Sequence, residues 1–169
     1  MNIVLHEPEI PSNTGNIGRT CTATGTALHL IEPLGFHLTS RELKRSGMDY
    51  WEQLELHRYA DYEDFLEQNP GARIWYATTK AERSYTDVVF QPEDYIMFGK
   101  ESAGIPEEIL VQHREQCIRI PMLEETRSLN LSNSAAIILY EALRQNHFAG
   151  LEPKGALHRL SWENTDGAV

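Results

Sequence analysis

NIVLHEPEIPSNTGNIGRTCTATGTALHLI (Asn2–Ile31) is the stretch whose reading decides the fold. NIVLH (Asn2–His6) and ALHLI (Ala27–Ile31) are short aliphatic runs of the length and character of buried strands. Between them Pro8 and Pro11 stiffen a turn, Asn13 stands where it can cap a helix over Asn13–Thr24, and Gly25 can stop that helix. Strand, helix and strand in succession imply two parallel strands joined by a helical crossover.

The same alternation continues outward. RIWYAT (Arg73–Thr78), YIMFG (Tyr95–Gly99) and CIRIP (Cys117–Pro121) read as further strands, and Asp87–Val89 as a short extra one. Helices are expected over Ser40–Ser46, Asp61–Asn69, Pro106–Glu115 and Leu131–Asn146, with Ser40 and Asp61 as N-caps and Gly47 as a stop. The fold class is therefore α/β, with a mainly parallel sheet covered by helices on both faces. In the last helix Ala135, Ile138, Leu139 and Ala142 form one apolar stripe, while Ile137 and Tyr140 add apolar surface elsewhere. Such a helix either sits deep in the core or packs against a second subunit. With 169 residues, one core is expected: a single domain over residues 1–150 and a Gly-, Pro- and polar-rich tail over 151–169.

Composition narrows the class. The chain is 41% hydrophobic and 24% charged, close to the globular average. No apolar run approaches the roughly 18 residues of a membrane span, and MNIVLHEPEI lacks the pattern of a signal peptide, so a cytoplasmic protein is expected. Cys21 and Cys117 belong to no CxxC pair and read as buried thiols, and the seven histidines show no metal-ligand spacing. The net charge of −10 argues at first against a nucleic-acid partner.

Three segments are rich in Gly, Asn, Ser and Pro. In the first (Pro8–Gly25), Asn13, Asn16 and Arg19 share roughly one helical side near the positive helix end, which suits an anion or is ordinary capping with a surface arginine. The second, FGKESAGIP (Phe98–Pro106), follows a strand, contains Gly99, Glu101 and Gly104, and is neither GxGxxG nor a P-loop. The third (Arg119–Gln145) sets Ser128 and Asn130 beside Ile120, Met122 and Leu129, either an apolar slot for a small aromatic ligand or a polar helix start. No GxSxG elbow supports a hydrolase.

In this order the three segments resemble the SPOUT superfamily of S-adenosylmethionine-dependent RNA 2′-O-methyltransferases. The similarity runs from EPEIPSNTGNIGRTC to SLNLSNSAAIILYEA and includes HLIEPLGF (His29–Phe36) and KRSGMDYW (Lys44–Trp51). The length is that of the minimal, TrmL-like (YibK-like) group, which modifies the wobble nucleotide of tRNA. The resemblance implies a C-terminal trefoil knot holding the cofactor, and a homodimer with the first and last helices at its interface. It points to Ala77, Thr78, Gly99, Glu101, Gly104, Ile120, Met122, Ser128, Leu129 and Asn130 for cofactor binding, and to Asn13, Arg19, Glu101, Ser128 and Asn130 for catalysis. Arg19 would act electrostatically on RNA, since a guanidinium is a poor base. Ala103 departs from the basic residue many members carry, so a phosphate contact from that loop depends on Lys100 substituting for it. Another RNA site, or a binding module without turnover, are the alternative functions.

The acidic excess is unevenly spread. Residues 1–60 carry 5 basic and 7 acidic groups, 61–125 carry 6 and 14, and 126–169 carry 4 and 4. Arg41, Lys44 and Arg45 form an i, i+3, i+4 basic face, expected to meet the anticodon region.

Overall fold

A computed structural model describes residues 1–37 and 51–162. The helix expected over Ser40–Ser46, and with it Arg41, Lys44 and Arg45, lies outside the described residues.

The strands are β1 (Asn2–His6), β2 (Ala27–Ile31), β3 (Leu56–Tyr59), β4 (Ile74–Ala77), β5 (Tyr95–Phe98) and β6 (Cys117–Ile118). They form one sheet in the order β3-β2-β1-β5-β4-β6, and every neighbouring pair is parallel. Asn2 of the central β1 lies opposite Ala27 on one side and Tyr95 on the other. The helices are α1 (Pro11–Thr24), α2 (Tyr62–Gln68), α3 (Glu107–Leu110) and α4 (Leu131–Gln145).

Strand side chains alternate between two faces, and each face has its own core. Ile3 and Leu5 pack with Ile17 and Cys21 of α1 and with Ala135, Ile138, Leu139 and Ala142 of α4. Val4 packs on the other face with Phe65 of α2, with Ile105 of the loop before α3 and with Leu110 of α3. Each such aliphatic side chain contributes about 1.5–3 kcal/mol by leaving water. The α4 stripe read from the sequence is therefore core, whereas Ile137 and Tyr140 are 38% and 48% exposed. Cys21 and Cys117 are buried free thiols. No described helix is long and apolar enough to cross a membrane. From Glu152 to Trp162 the chain is exposed.

Local departures from the sequence reading have local causes. Helix α1 begins at Pro11, not Asn13, and its N-cap Ile10 makes no side-chain capping bond. Proline suits the first helical position because its φ is preset and its missing N–H leaves nothing unpaired. Gly25 does end the helix, at φ 64°, and Asp61 does cap α2, accepting from the Asp64 N–H at 2.8 Å. The expected Asp87–Val89 strand is instead a 3-10 turn over Tyr85–Asp87, capped by Ser84. Strand β6 stops at Ile118 because its neighbour β4 ends opposite it at Ala77, and Arg119 pairs with Ser84 instead. The single helix expected over Pro106–Glu115 is α3 followed by a 3-10 segment, Val111–Gln116. His113 there leaves helical geometry (φ −128°, ψ 33°) and stacks on Tyr76 at 4.8 Å. Edge strand β3 was not anticipated: His57 and Arg58 face solvent and blur its apolar pattern.

Candidate functional site

Strand order reverses between β1 and β5, and ligands of open α/β sheets bind beyond the carboxyl ends of strands at such a point. A cleft of about 490 Å³ opens there, within the range of small-molecule sites. Ala77 and Thr78 enter it from the end of β4, and Gly99, Glu101 and Gly104 from the loop after β5. Ile120, Met122, Ser128, Leu129 and Asn130 enter from the segment between β6 and α4. All ten positions named for cofactor binding thus line one cleft. Phe98, Ile118 and Ile138 extend its apolar wall.

The β5 loop depends on two glycines. A Cβ on Gly99 would overlap the Gly104 carbonyl carbon and the Ile105 nitrogen. Gly104 adopts φ 75° and donates its N–H to the Lys100 carbonyl at 2.8 Å, which closes the turn. Only a residue without a side chain fits the first position, and the left-handed conformation favours glycine at the second.

Glu101 is a clamp between the first and second segments. One carboxylate oxygen accepts the Glu9 N–H at 2.8 Å, and the other accepts Asn13 Nδ2 at 2.9 Å and the Ile10 N–H at 3.3 Å. Asn13 Oδ1 in turn accepts from Asn130 Nδ2 at 3.0 Å. Asn130 caps α4, its Oδ1 accepting from the Ser132 and Asn133 N–H groups. An amide relay therefore runs from the start of α4 through α1 to the β5 loop. Asn13, buried at 5% exposure, belongs to this relay and not to a helix cap.

Lys100 binds Glu7 at 2.7 Å. The carboxylate beside it, and that of Glu9, hold its ammonium above the ordinary lysine pKa. Its charge is thus already matched within the protein by Glu7. Glu7 itself takes φ 52°, a conformation that costs a non-glycine residue roughly 1–2 kcal/mol. Its ion pair and the neighbouring clamp offset that cost.

Arg19 does not line the cleft. It is exposed on α1, about 9 Å further along the axis than Asn13. Asn16, expected beside it, is exposed as well, so the Asn13, Asn16 and Arg19 side divides into a buried and a solvent-facing part. Ser128 is exposed on the rim. Among the described residues no three His, Cys, Asp or Glu side chains converge on a point.

Sequence reasoning passed over Glu7, Glu9 and Ser102, although all three organise this crossing of loops. Two carboxylates flanking Pro8 at the end of a buried strand were the available signal. Lys80 and Arg127 also line the cleft and were not singled out. Lys80 pairs with Glu107 at 3.0 Å, both largely in solvent.

The sequence profile of the SpoU rRNA Methylase family matches residues 1–140. The tRNA (cytidine(34)-2′-O)-methyltransferase of Escherichia coli K12 is 48% identical over 151 residues, spanning 89% of this chain and 96% of that enzyme. A solved structure described as giving insights into the 2-OH methylation of C/U34 on tRNA superposes with a TM-score of 0.81 at 44% identity. That match covers 86% of this chain and 95% of the other. An AdoMet-bound rRNA methyltransferase from Sinorhizobium meliloti aligns with a TM-score of 0.74 at 26% identity, over 85% of this chain and 55% of its own length.

Proposed function

The chain belongs to the SpoU rRNA Methylase family, and from that premise we propose that it methylates the ribose 2′-OH of nucleotide 34, the wobble nucleotide, in tRNA. The observation that carries the reading is 48% identity, over nearly the whole length of both chains, to an enzyme of that specificity. The substrate nucleotide is cytidine or a modified uridine, and the enzyme works in the cytoplasm. S-adenosylmethionine is the methyl donor in this reading, and the cleft fits it. Gly99 and Gly104 line it without side chains, so the backbone can come close to a ligand, and Ile120, Met122, Leu129 and Ile138 offer an apolar wall to adenine. When bound, the donor supplies an electrophilic methyl group on a sulfonium, which is already a good leaving group.

The protein's task is then positioning, worth about 7–11 kcal/mol in favourable cases. Ser128, on the rim, orients the attacking hydroxyl, whose proton passes to solvent. Asn13, Asn130 and Glu101 have their polar atoms committed to one another and to backbone groups, so they hold the loops in place and do not shuttle protons. Arg19, remote from the cleft of its own chain, binds an RNA phosphate beside the reacting ribose. This arrangement needs a second protomer, and the reading includes a homodimer. The exposed Ile137 and Tyr140 on α4 support it, since α4 packs beside α1. Residues 1–150 form the catalytic unit and 151–169 a tail. The C-terminal part threads into a trefoil knot, with support in the chain's return from edge strand β6 to α1, where Asn130 meets Asn13. Arg41, Lys44 and Arg45 contact the anticodon region.

The test is transfer of labelled methyl from S-adenosylmethionine to tRNA lacking the modification, followed by mass mapping of the nucleotide. Label at the ribose of nucleotide 34 supports the reading. Label on ribosomal RNA alone, or on no RNA, overturns it.

A further inference from the structure

The loops after β1 and β5 are tied together in both directions. The Glu101 carboxylate accepts the Glu9 N–H, and the Glu9 carboxylate accepts the Ser102 N–H at 2.9 Å and the Ser102 hydroxyl at 2.8 Å. Both Glu9 oxygens are therefore in use, one on each Ser102 donor. The hydroxyl bond, with the N–H bond second, holds the Glu9 carboxyl below the ordinary carboxylate range. The backbone of Glu9 is pinned independently. A Cβ on Gly35 would come within 2.7 Å of the Glu9 Cα, and the Gly35 N–H donates to the Pro8 carbonyl at 2.9 Å. Glu9 is thus fixed from the Gly35 side and grips the β5 loop from the other. Ser102 lines the cleft and Glu9 does not. A charged acceptor with two donors on one residue resists both sliding and rotation of the loop.

We propose that Glu9 is a positioning residue for the methyl donor: through Ser102 it holds the Gly99–Gly104 loop in the shape that receives the ligand. The inference rests on the methyltransferase reading, but its test is separable, because donor binding is measured without RNA. The experiment titrates the full-length protein with S-adenosylmethionine calorimetrically and then measures KM for donor and for tRNA in the transfer assay. Losing charge-assisted hydrogen bonds predicts that Glu9→Ala weakens donor binding about 10- to 100-fold, with KM for tRNA within about threefold of wild type. Ser102→Ala loses only the hydroxyl and weakens binding several-fold. The double variant is no weaker than Glu9→Ala alone, as for two residues acting through one contact.

Wild-type donor affinity in Glu9→Ala overturns the proposal, and so does an equal loss of donor and tRNA binding, which would mark general loosening of the fold. If Glu9→Ala does not fold, Ser102→Ala decides: several-fold weaker donor binding supports the proposal, and wild-type affinity overturns it. Absence of methyl transfer to tRNA by the wild-type protein overturns the functional reading instead.

Discussion

Replacing Glu101 by Ala removes the acceptor of three hydrogen bonds at once. The Glu9 N–H and Asn13 Nδ2 lose partners at 2.8 and 2.9 Å, and the Ile10 N–H loses one at 3.3 Å. Bonds to a charged group are worth about 1.5–3 kcal/mol each. Counting the two short ones at the lower bound and the long one at nothing gives about 3 kcal/mol. In a chain of this size that corresponds to a fall in Tm of roughly 6–12 °C. Scanning calorimetry measures it directly, with a urea titration as a second probe. Methyl transfer should fall alongside, because the freed Asn13 amide no longer orients Asn130. Glu101→Gln should lie between, since one oxygen remains while the new amide nitrogen faces a donor. The decisive contrary result is a Glu101→Ala protein with wild-type Tm and donor affinity but no transfer. The carboxylate would then act on the reacting atoms, and the clamp would contribute little.

Gly99→Ala should lower donor affinity more than tenfold by calorimetry, because the new methyl overlaps the Gly104–Ile105 peptide; unchanged affinity would mean the loop reopens without cost. Burial, with His57 adding to it, pushes the His29 imidazole down to about 4 from 6.5. The unfolded chain therefore binds more protons between pH 4 and 6.5, and stability is lost as pH falls through that window, by about 3 kcal/mol in total. Urea midpoints should drop accordingly, and His29→Gln should flatten the slope; an equally steep profile in that variant would assign the effect elsewhere. Arg19→Ala should cut methyl transfer by at least a hundredfold and leave donor affinity unchanged, since the residue lies off the cleft. A large loss of donor binding would refute that assignment.

Much of the architecture was legible because its determinants are local. β1 and β2 run over the residues read as strands, since an aliphatic run between turn residues has little choice but to be buried. Gly25 and Asp61 end and begin helices as their conformational and hydrogen-bonding preferences require. Where the reading missed, a partner distant in sequence intervened. β6 is cut short by the end of β4, and the helix over Pro106–Glu115 is broken where His113 turns to stack on Tyr76. β3 was hidden because His57 and Arg58, on opposite faces of this edge strand, are both exposed and leave no apolar alternation to read.

The sequence by itself determined the alternation of strands and helices, the glycines of the β5 loop, and the set of residues that gathers around the cleft. Each follows from an interaction spanning a few residues or from a motif kept in order along the chain. Tertiary structure alone decided what those residues do to one another. Glu101 meets Glu9 across 92 positions and Asn13 across 88, and Asn130 meets Asn13 across 117. No local preference encodes such pairings, because they arise only when the sheet brings the ends of β1 and β5 side by side. A carboxylate that looks available for chemistry in the sequence is, in the folded chain, already occupied in holding two loops together.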